Sequence, residues 1–142
     1  MPGRTPSQTV GPFFAIGLCR APQNEVVPGG SVHIVGRVLD GASDPVPDAV
    51  IELWQPGDEG TSWGRCGTDG DGRFEFVTEP PKDGYADVLV FARGLLRHLF
   101  TRCYFVEVDD PVLATLVVQP DGDALRFDIH LQGERETVFF AV

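Results

Sequence analysis

The sequence predicts an all-β fold, a sandwich or barrel of about seven to eight short strands with one short helix. Segments in which apolar and polar residues alternate recur along the chain, and such alternation is typical of strands with one buried face. Clusters of glycine and proline separate these segments about every ten residues, which is the turn spacing of a sandwich or barrel. Outside one short segment, no stretch carries a helical apolar stripe of useful length.

The first element is an N-terminal arm, residues 1–23, which precedes a single β-sandwich domain, residues 24–142. The arm has no sustained periodicity, because TPSQTVGPFFAIG passes abruptly from turn formers to apolar residues. We expect it to be extended, and arms of this kind are poorly ordered unless they dock on a surface. Phe13 and Phe14 would need such a surface to lie against.

The strands of the domain follow at regular spacing. They are expected at 31–40, 49–55, 73–78, 87–93, 100–108 and 125–132, and the chain ends on the apolar segment 137–142. The glycine- and aspartate-rich segment 56–72 is expected to be a loop whose last residues, TDGDG, are a hairpin-turn signal. The one helix is expected at 111–117, with Asp110 as its N-cap and Pro111 as its first residue.

The net charge of −10, from 11 Lys and Arg against 21 Asp and Glu, argues against a nucleic-acid or anionic-membrane partner. The sequence has no apolar run of about 18 residues and no leader at MPGRTPSQT, so neither a membrane span nor a signal peptide is expected. Three cysteines, Cys19, Cys66 and Cys103, are odd in number and lie far apart, so they form no metal-spaced pair and no plausible disulfide framework. Reduced thiols and a cytoplasmic location are therefore predicted.

Positive charge is concentrated in one place, with Arg93, Arg97, His98 and Arg102 inside ten residues of an otherwise acidic chain. Such a cluster suits a small anionic ligand or an acidic partner surface. Solvated or ion-paired surface arginines are the alternative, and charge alone leaves the choice open.

No residue pattern identifies a catalytic or metal site by itself. The three histidines, His33, His98 and His130, are scattered, with no H-x-H, H-x-x-x-H or Cys/His cluster. The G-x-S-x-G and phosphate-loop signatures are absent, and TDGDG matches too little of a calcium loop to be more than a turn. From composition and spacing alone, the prediction stops at an acidic cytoplasmic β-sandwich.

Five segments spread over nearly the whole chain match one family. They are TPSQTVGPFF (5–14), GRVLD and DPVPDAVIELWQ (within 36–55), GRCGTDGDGRFEF (64–76), VFARGLLRHLFTRCYF (90–105) and FDIHLQGERETVFFAV (127–142). Together they resemble the intradiol ring-cleaving dioxygenases, and in particular the α subunits of those that act on protocatechuate. The arm motif, FARG…TRxYF and the QGxxETVFF tail are specific, whereas many β-sandwich modules share the middle segment. The resemblance implies an intradiol-dioxygenase-like β-sandwich.

Active members of that family hold a non-haem ferric ion through two tyrosinates and two histidines, and the histidines come from an H-x-H on a strand. Aligned through FARG, those two positions are Tyr85 and Asp87, which would share a face of a regular strand with Arg93. The segments 56–63 and 80–84, where the ligand tyrosines would lie, contain none. The resemblance therefore implies that this chain binds no metal. A metal held by Tyr85 and Asp87 is the alternative, and the lack of a nearby histidine disfavours it.

The resemblance implies a division of labour in a hetero-oligomer. A homologous β subunit would hold the Fe(III), which activates the bound catechol toward O2, and the arm and tail of this chain would be buried against that subunit. This chain, inactive by itself, would complete the pocket for a small aromatic acid. The reaction would be the O2-dependent cleavage of protocatechuate to 3-carboxy-cis,cis-muconate, a step of aromatic catabolism in the β-ketoadipate pathway.

The resemblance also implies which residues line that pocket. By position they are Thr9, Gly11, Pro12, Phe13, Arg93 and Arg102. Phe13 stands where some relatives have a tyrosine, so a hydroxyl is missing there. Arg93 matches the substrate arginine of the family, and an arginine can hold a benzoate carboxylate through two parallel hydrogen bonds. Arg102 ranks lower, because it lies beyond a turn. An ion pair that holds the subunit together would explain it equally well.

Two other functions remain possible at this level. The chain could be a stand-alone transthyretin-like binding or interaction module without enzymatic activity. A homomeric catechol-type dioxygenase is disfavoured, because those enzymes have an N-terminal helical domain and their own metal ligands.

The chain is also shorter than the usual α subunit, mainly after Trp54 and around 80–86.

Overall fold

The computed structural model describes residues 3–11, 13–57 and 60–141, with Phe13 described in its backbone only. The described residues form two β-sheets that share one hydrophobic core. In chain order the elements are α1 (Phe13–Leu18), β1 (Val32–Leu39), β2 (Val50–Gly57), β3 (Gly60–Gly67), β4 (Arg73–Thr78), β5 (Tyr85–Phe91), β6 (Leu99–Tyr104), a 3-10 helix (Leu113–Leu116), β7 (Gln119–Asp121), β8 (Ala124–Arg126) and β9 (Ile129–His130). The predicted all-β sandwich is confirmed.

One sheet has the order β4-β1-β8-β7, with β9 also paired to β1, and the other has the order β3-β2-β5-β6. The core lies between them. Apolar side chains that alternate along β1 and β4, such as Ile34 and Phe76, meet those of β2 and β5, such as Leu53 and Val88, and each is at most 2% exposed. Alternation of buried and half-buried residues is thus the physical basis of the fold.

Strand β5 shows this alternation most clearly. Ala86, Val88 and Val90 point into the core and are at most 2% exposed, whereas Tyr85 and Asp87 lie on the opposite, half-buried face. That opposite face of the sheet β3-β2-β5-β6 is called the outer face below. The predicted common face of the alternate residues is confirmed along β5, and Arg93 lies just beyond the end of the strand.

The expectation of a loop at 56–72 was wrong, because β3 lies inside it. β3 pairs with β2 from Val50↔Gly67 to Gly57↔Gly60 in an antiparallel register. On the outer face the Trp54 and Trp63 rings stack at 5.3 Å. Cross-strand pairs of this kind stabilise a strand whose glycine-rich sequence has little β-propensity of its own.

The expectation that the arm is extended was wrong for 13–18, which form α1. The helix is held by packing, since the Phe14 ring lies 5.6 Å from the Phe91 ring and Ala15 is 9% exposed. Its six residues are too few for a helix to be stable without such contacts. The division into an arm, 1–23, and a domain, 24–142, stays a prediction.

Three further elements are shorter than predicted. The strand expected at 100–108 ends at Tyr104 as β6. The helix expected at 111–117 is a single 3-10 turn, Leu113–Leu116. The predicted cap is nevertheless present, because Asp110 Oδ1 accepts hydrogen bonds from the backbone N–H groups of Val112 and Leu113. The strand expected at 125–132 is divided into β8 and β9, which both pair with β1 in parallel. Among the described residues, no helix is long and apolar enough to cross a membrane.

Candidate functional site

The N-terminal arm docks on the turn that follows β5. The Gly94 N–H donates to Thr9 Oγ1 at 2.6 Å, and Thr9 Oγ1 lies 3.5 Å from the Ala92 carbonyl oxygen. Thr9 therefore contacts the backbone on both sides of Arg93, although 84 positions separate the two residues in the chain. The structure brings together two residues that were predicted as pocket residues from different segments.

Of the other arm residues predicted for the pocket, the structure describes Gly11 in full and Phe13 in its backbone only. The Gly11 carbonyl oxygen accepts the Phe14 N–H at 3.1 Å, which begins the turn of α1. Pro12 and the side chain of Phe13 lie outside the described part of the chain, so their predicted roles are not addressed by the structure.

Arg93 presents a half-exposed cation at this place. Its Nη2 donates to Asp48 Oδ2 at 3.3 Å, and the two side chains are 50% and 39% exposed. This single contact is long for a hydrogen bond between charged groups. A guanidinium has five N–H donors. One edge of Arg93 is therefore oriented by Asp48 while another can hold a ligand carboxylate.

Two concave surfaces adjoin this arginine and the docked arm. One, of about 380 Å³, lies between Arg93 and the turn that contains Pro45 and Pro47. The other, of about 510 Å³, lies between the arm and the segment that carries Arg97 and His98. Both volumes fall in the range of about 300–1,000 Å³ that is usual for small-molecule sites. The cationic cluster seen in the sequence is thus divided between separate surfaces.

Arg102 belongs to a different place, the outer face. It lies on β6 opposite Asp87 of β5, and its Nε donates to Asp87 Oδ1 at 2.8 Å. Its guanidinium carbon is 4.4 Å from the centroid of the Tyr85 ring. Partial burial lowers the pKa of Arg102, whereas the hydrogen bond to Asp87 and the negative charge of Asp87 raise it by more. The net shift of this pKa is upward.

The residues at the aligned ligand positions do not fit a ferric ion. Asp87 is neutralised by Arg102, and the Tyr85 ring faces the same guanidinium, so a cationic side chain already occupies this part of the outer face. Ferric sites of this class need histidine and tyrosinate donors, and His33 and His130 lie on β1 and β9 of the other sheet. The third histidine, His98, lies against the Phe91 ring at 5.5 Å, at the end of β5 opposite Tyr85. Within residues 3–11, 13–57 and 60–141, no three His, Cys, Asp or Glu side chains are grouped for metal binding.

The structure does not bring Arg102 together with Arg93. Asp87, the partner of Arg102, precedes Arg93 by six positions, which is about 20 Å along an extended strand at roughly 3.3 Å per residue. The ion pair offered as the alternative for Arg102 is present. Contact between Arg102 and a substrate stays a prediction.

Sequence reasoning missed Asp48 as the partner of Arg93. Its only signal is an acidic residue in a proline turn, DPVPDA, directly before the buried strand β2. The two residues are 45 positions apart, and no periodic pattern relates them. The contact depends on the packing of the two turns at one end of the sandwich.

Comparisons with known proteins add a family relationship to this geometry. No protein-family model matches the chain. The protocatechuate 3,4-dioxygenase alpha chain of Burkholderia cepacia is 35% identical, and the alignment covers 98% of this chain and 98% of that protein. The protein of the same name from Pseudomonas putida is 33% identical, with 96% and 95% covered. The first alignment has 195 positions against the 142 residues of this chain, which agrees with the predicted shortening.

The fold also has relatives among solved structures. The dioxygenase domain of a dioxygenase–carbohydrate-binding protein fusion from the cellulolytic bacterium Streptomyces sp. SirexAA-E superposes with a TM-score of 0.56. The match covers 89% of this chain and 96% of that domain at 18% identity, so it supports the fold alone. The predicted intradiol-dioxygenase-like β-sandwich is confirmed.

Proposed function

The chain belongs to the family of protocatechuate 3,4-dioxygenase alpha chains, and from this premise we propose that it is the non-metal-binding α subunit of such an enzyme. In the complex it completes the pocket in which protocatechuate is cleaved with O2 between its hydroxylated carbons, giving 3-carboxy-cis,cis-muconate. The observation that supports this most directly is the Thr9–Gly94 hydrogen bond, which holds the arm against Arg93.

Arg93 binds the carboxylate of the substrate. The side chain is half exposed in the chain by itself and is oriented by Asp48, so a partner subunit that covers it would leave a cation inside a partly dry pocket. A carboxylate brought into such a pocket needs a charged donor, and the planar guanidinium offers two parallel N–H groups. Arg93 thereby fixes which end of the aromatic ring faces this chain.

The arm forms a second wall of the same pocket. Thr9 uses its hydroxyl to hold the Gly94 amide, which keeps the arm against the turn after β5. Gln8 and Val10 line the adjoining concave surface together with Phe14. The arm excludes water from one side of the substrate and positions the ring.

A homologous β subunit would hold the ferric ion, which would supply the activation of the catechol toward O2, and the residues of this chain carry no step that passes through it. The proposal rests on the Asp87–Arg102 ion pair, which fills the aligned ligand positions here. The partner is thus required for activity. A cytoplasmic location is part of the proposal, because the cysteines Cys19, Cys66 and Cys103 are all unpaired.

The test is co-expression of this chain with a β-type chain of a related enzyme. We expect the complex to show the tyrosinate-to-iron absorption and to cleave protocatechuate, and this chain alone to show neither. Iron absorption from this chain alone would contradict the proposal. The same KM for protocatechuate in the β-type chain with and without this chain would also contradict it. A stand-alone binding module is not favoured, since both relatives are named as enzyme chains.

A further inference from the structure

Asp48 contacts Arg93 from the turn between β1 and β2, and the backbone of this turn is restricted at Asp48. Its backbone has a φ of 60°, in the left-handed region that residues other than glycine seldom adopt. It follows Pro47, whose ring fixes its own φ, and precedes Ala49, which is fully buried. The backbone that carries the Asp48 carboxylate is therefore restricted before any ligand arrives.

Thr68 is the side chain that holds this turn. Its Oγ1 accepts the Ala49 N–H at 2.9 Å and donates to the Val46 carbonyl oxygen at 2.8 Å, while its backbone N–H donates to the Ala49 carbonyl oxygen. Thr68 is 9% exposed, so these hydrogen bonds are shielded from water. Val46 and Ala49, which flank residues 47–48, are therefore both hydrogen-bonded to Thr68, the residue that follows β3.

The Asp48 carboxylate has two opposing effects on Arg93. It accepts one hydrogen bond from Nη2 and so restricts the rotamers of a long side chain that is half exposed. It also neutralises part of the guanidinium charge and repels a second carboxylate that approaches the other edge. The net result is an arginine that is oriented in advance but attracts anions less strongly than an unpaired one.

We propose that Asp48 is a positioning residue for Arg93 that sets how strongly the pocket prefers a carboxylated ring over the same ring without a carboxylate. The inference rests on the proposed function of this chain. It goes beyond that function by assigning the strength of carboxylate selection to a residue of the β1–β2 turn, outside the arm and outside β5.

The experiment compares Asp48→Asn and Asp48→Ala in the iron-loaded complex with a β-type chain. Asparagine keeps an oxygen that accepts from Arg93, tolerates the left-handed backbone and removes the charge. We expect the KM for protocatechuate to fall about three- to tenfold in Asp48→Asn, because the repulsion at close range is gone. The kcat, and the inhibition constant of catechol as a competitor without a carboxylate, stay unchanged.

Asp48→Ala removes both the charge and the anchor, so its KM for protocatechuate is expected to lie above that of Asp48→Asn. The matched control is Asp44→Asn, which removes the same charge from the same exposed turn. The hydrogen bonds between Asp44 and Asp40 use the backbone N–H and carbonyl groups of Asp44, and the substitution does not remove these groups. It should leave every constant at the wild-type value. Thermal melting of each variant complex reports whether the turn still folds.

The outcomes separate this inference from the proposed function. An unchanged or raised KM in Asp48→Asn, or equal KM values in Asp48→Asn and Asp48→Ala, overturns the role of Asp48 while the wild-type complex still cleaves protocatechuate. If the wild-type complex shows no cleavage, the proposed function fails and the role of Asp48 fails with it.

Discussion

Arg102 and Asp87 lie opposite each other on neighbouring strands, and the Arg102 Nε donates to Asp87 Oδ1 at 2.8 Å. The same guanidinium lies over the Tyr85 ring. Tyr85 and Asp87 are the positions that the resemblance in sequence aligns with the strand histidines of active family members. The Arg102 side chain of this chain therefore occupies the part of the outer face where a metal would need its ligands.

Arg102→Ala is expected to lower the free energy of unfolding by about 1–2 kcal/mol, measured by urea denaturation. The substitution removes two contributions to stability. One is the ion pair with Asp87, which is screened by solvent because both side chains are about one third exposed, and the other is the contact with the Tyr85 ring. Arg135→Ala, at an exposed position, is the control and should change stability by less than about 0.5 kcal/mol. An unchanged stability for Arg102→Ala together with a raised KM would instead support its predicted contact with the substrate.

Thr9→Val should release the arm from the turn after β5. The substitution keeps the shape of the side chain but removes the oxygen that accepts the Gly94 N–H, at a cost of about 0.5–1.5 kcal/mol to docking. Hydrogen exchange of the Gly94 amide reports this directly, and we expect exchange to be about two- to tenfold faster. Thr9→Ser keeps the hydroxyl and should exchange like the wild type. Equal exchange in Thr9→Val and the wild type would show that the arm is held by other contacts.

The thiol of Cys103 should be unreactive in the folded chain. Burial raises its pKa to about 12, and the residue is 0% exposed. Labelling at pH 8 should therefore be about a hundredfold slower at Cys103 than in the urea-unfolded chain, with mass spectrometry identifying the site.

The same thiol gives a pH dependence with a defined sign. The folded state retains the proton to a higher pH than the unfolded chain, whose thiol has its ordinary pKa of 9.0. This contribution to stability is complete below pH 9 and is lost as the pH rises toward 12. Cys103→Ala should show a smaller loss of stability over that range. An identical loss in the variant would assign the effect to other groups.

The parts of the fold that the sequence predicts well are those in which one side-chain pattern decides the structure. β5 has strict alternation, and the common face of Tyr85 and Asp87 was predicted correctly. β3 was missed because GTSWGRCG carries almost no apolar alternation, and its pairing with β2 is supplied by the partner strand. α1 was missed because a six-residue helix exists only through its contacts with the rest of the chain.

The candidate site divides in the same way. Thr9 and Arg93 could be singled out because their segments match a family pattern. The hydrogen bond that joins the arm to Gly94, and the contact of Asp48 with Arg93, depend on turns that meet only after the sheets pack. The division between Arg93 and Arg102 likewise required the strand register.

The central claim is that Arg93 of this chain holds the carboxylate of a substrate whose ring is cleaved in a complex with a β-type chain. The most direct measurement is the Kd of protocatechuate for the iron-loaded complex, titrated without O2, in the wild type, in Arg93→Ala and in the neighbouring control Arg97→Ala. Arg93→Ala should weaken binding by about 1.5–3 kcal/mol, roughly ten- to hundredfold in Kd, and leave the Kd of catechol unchanged. An unchanged Kd for protocatechuate in Arg93→Ala, or an equal loss in Arg97→Ala, would contradict the claim.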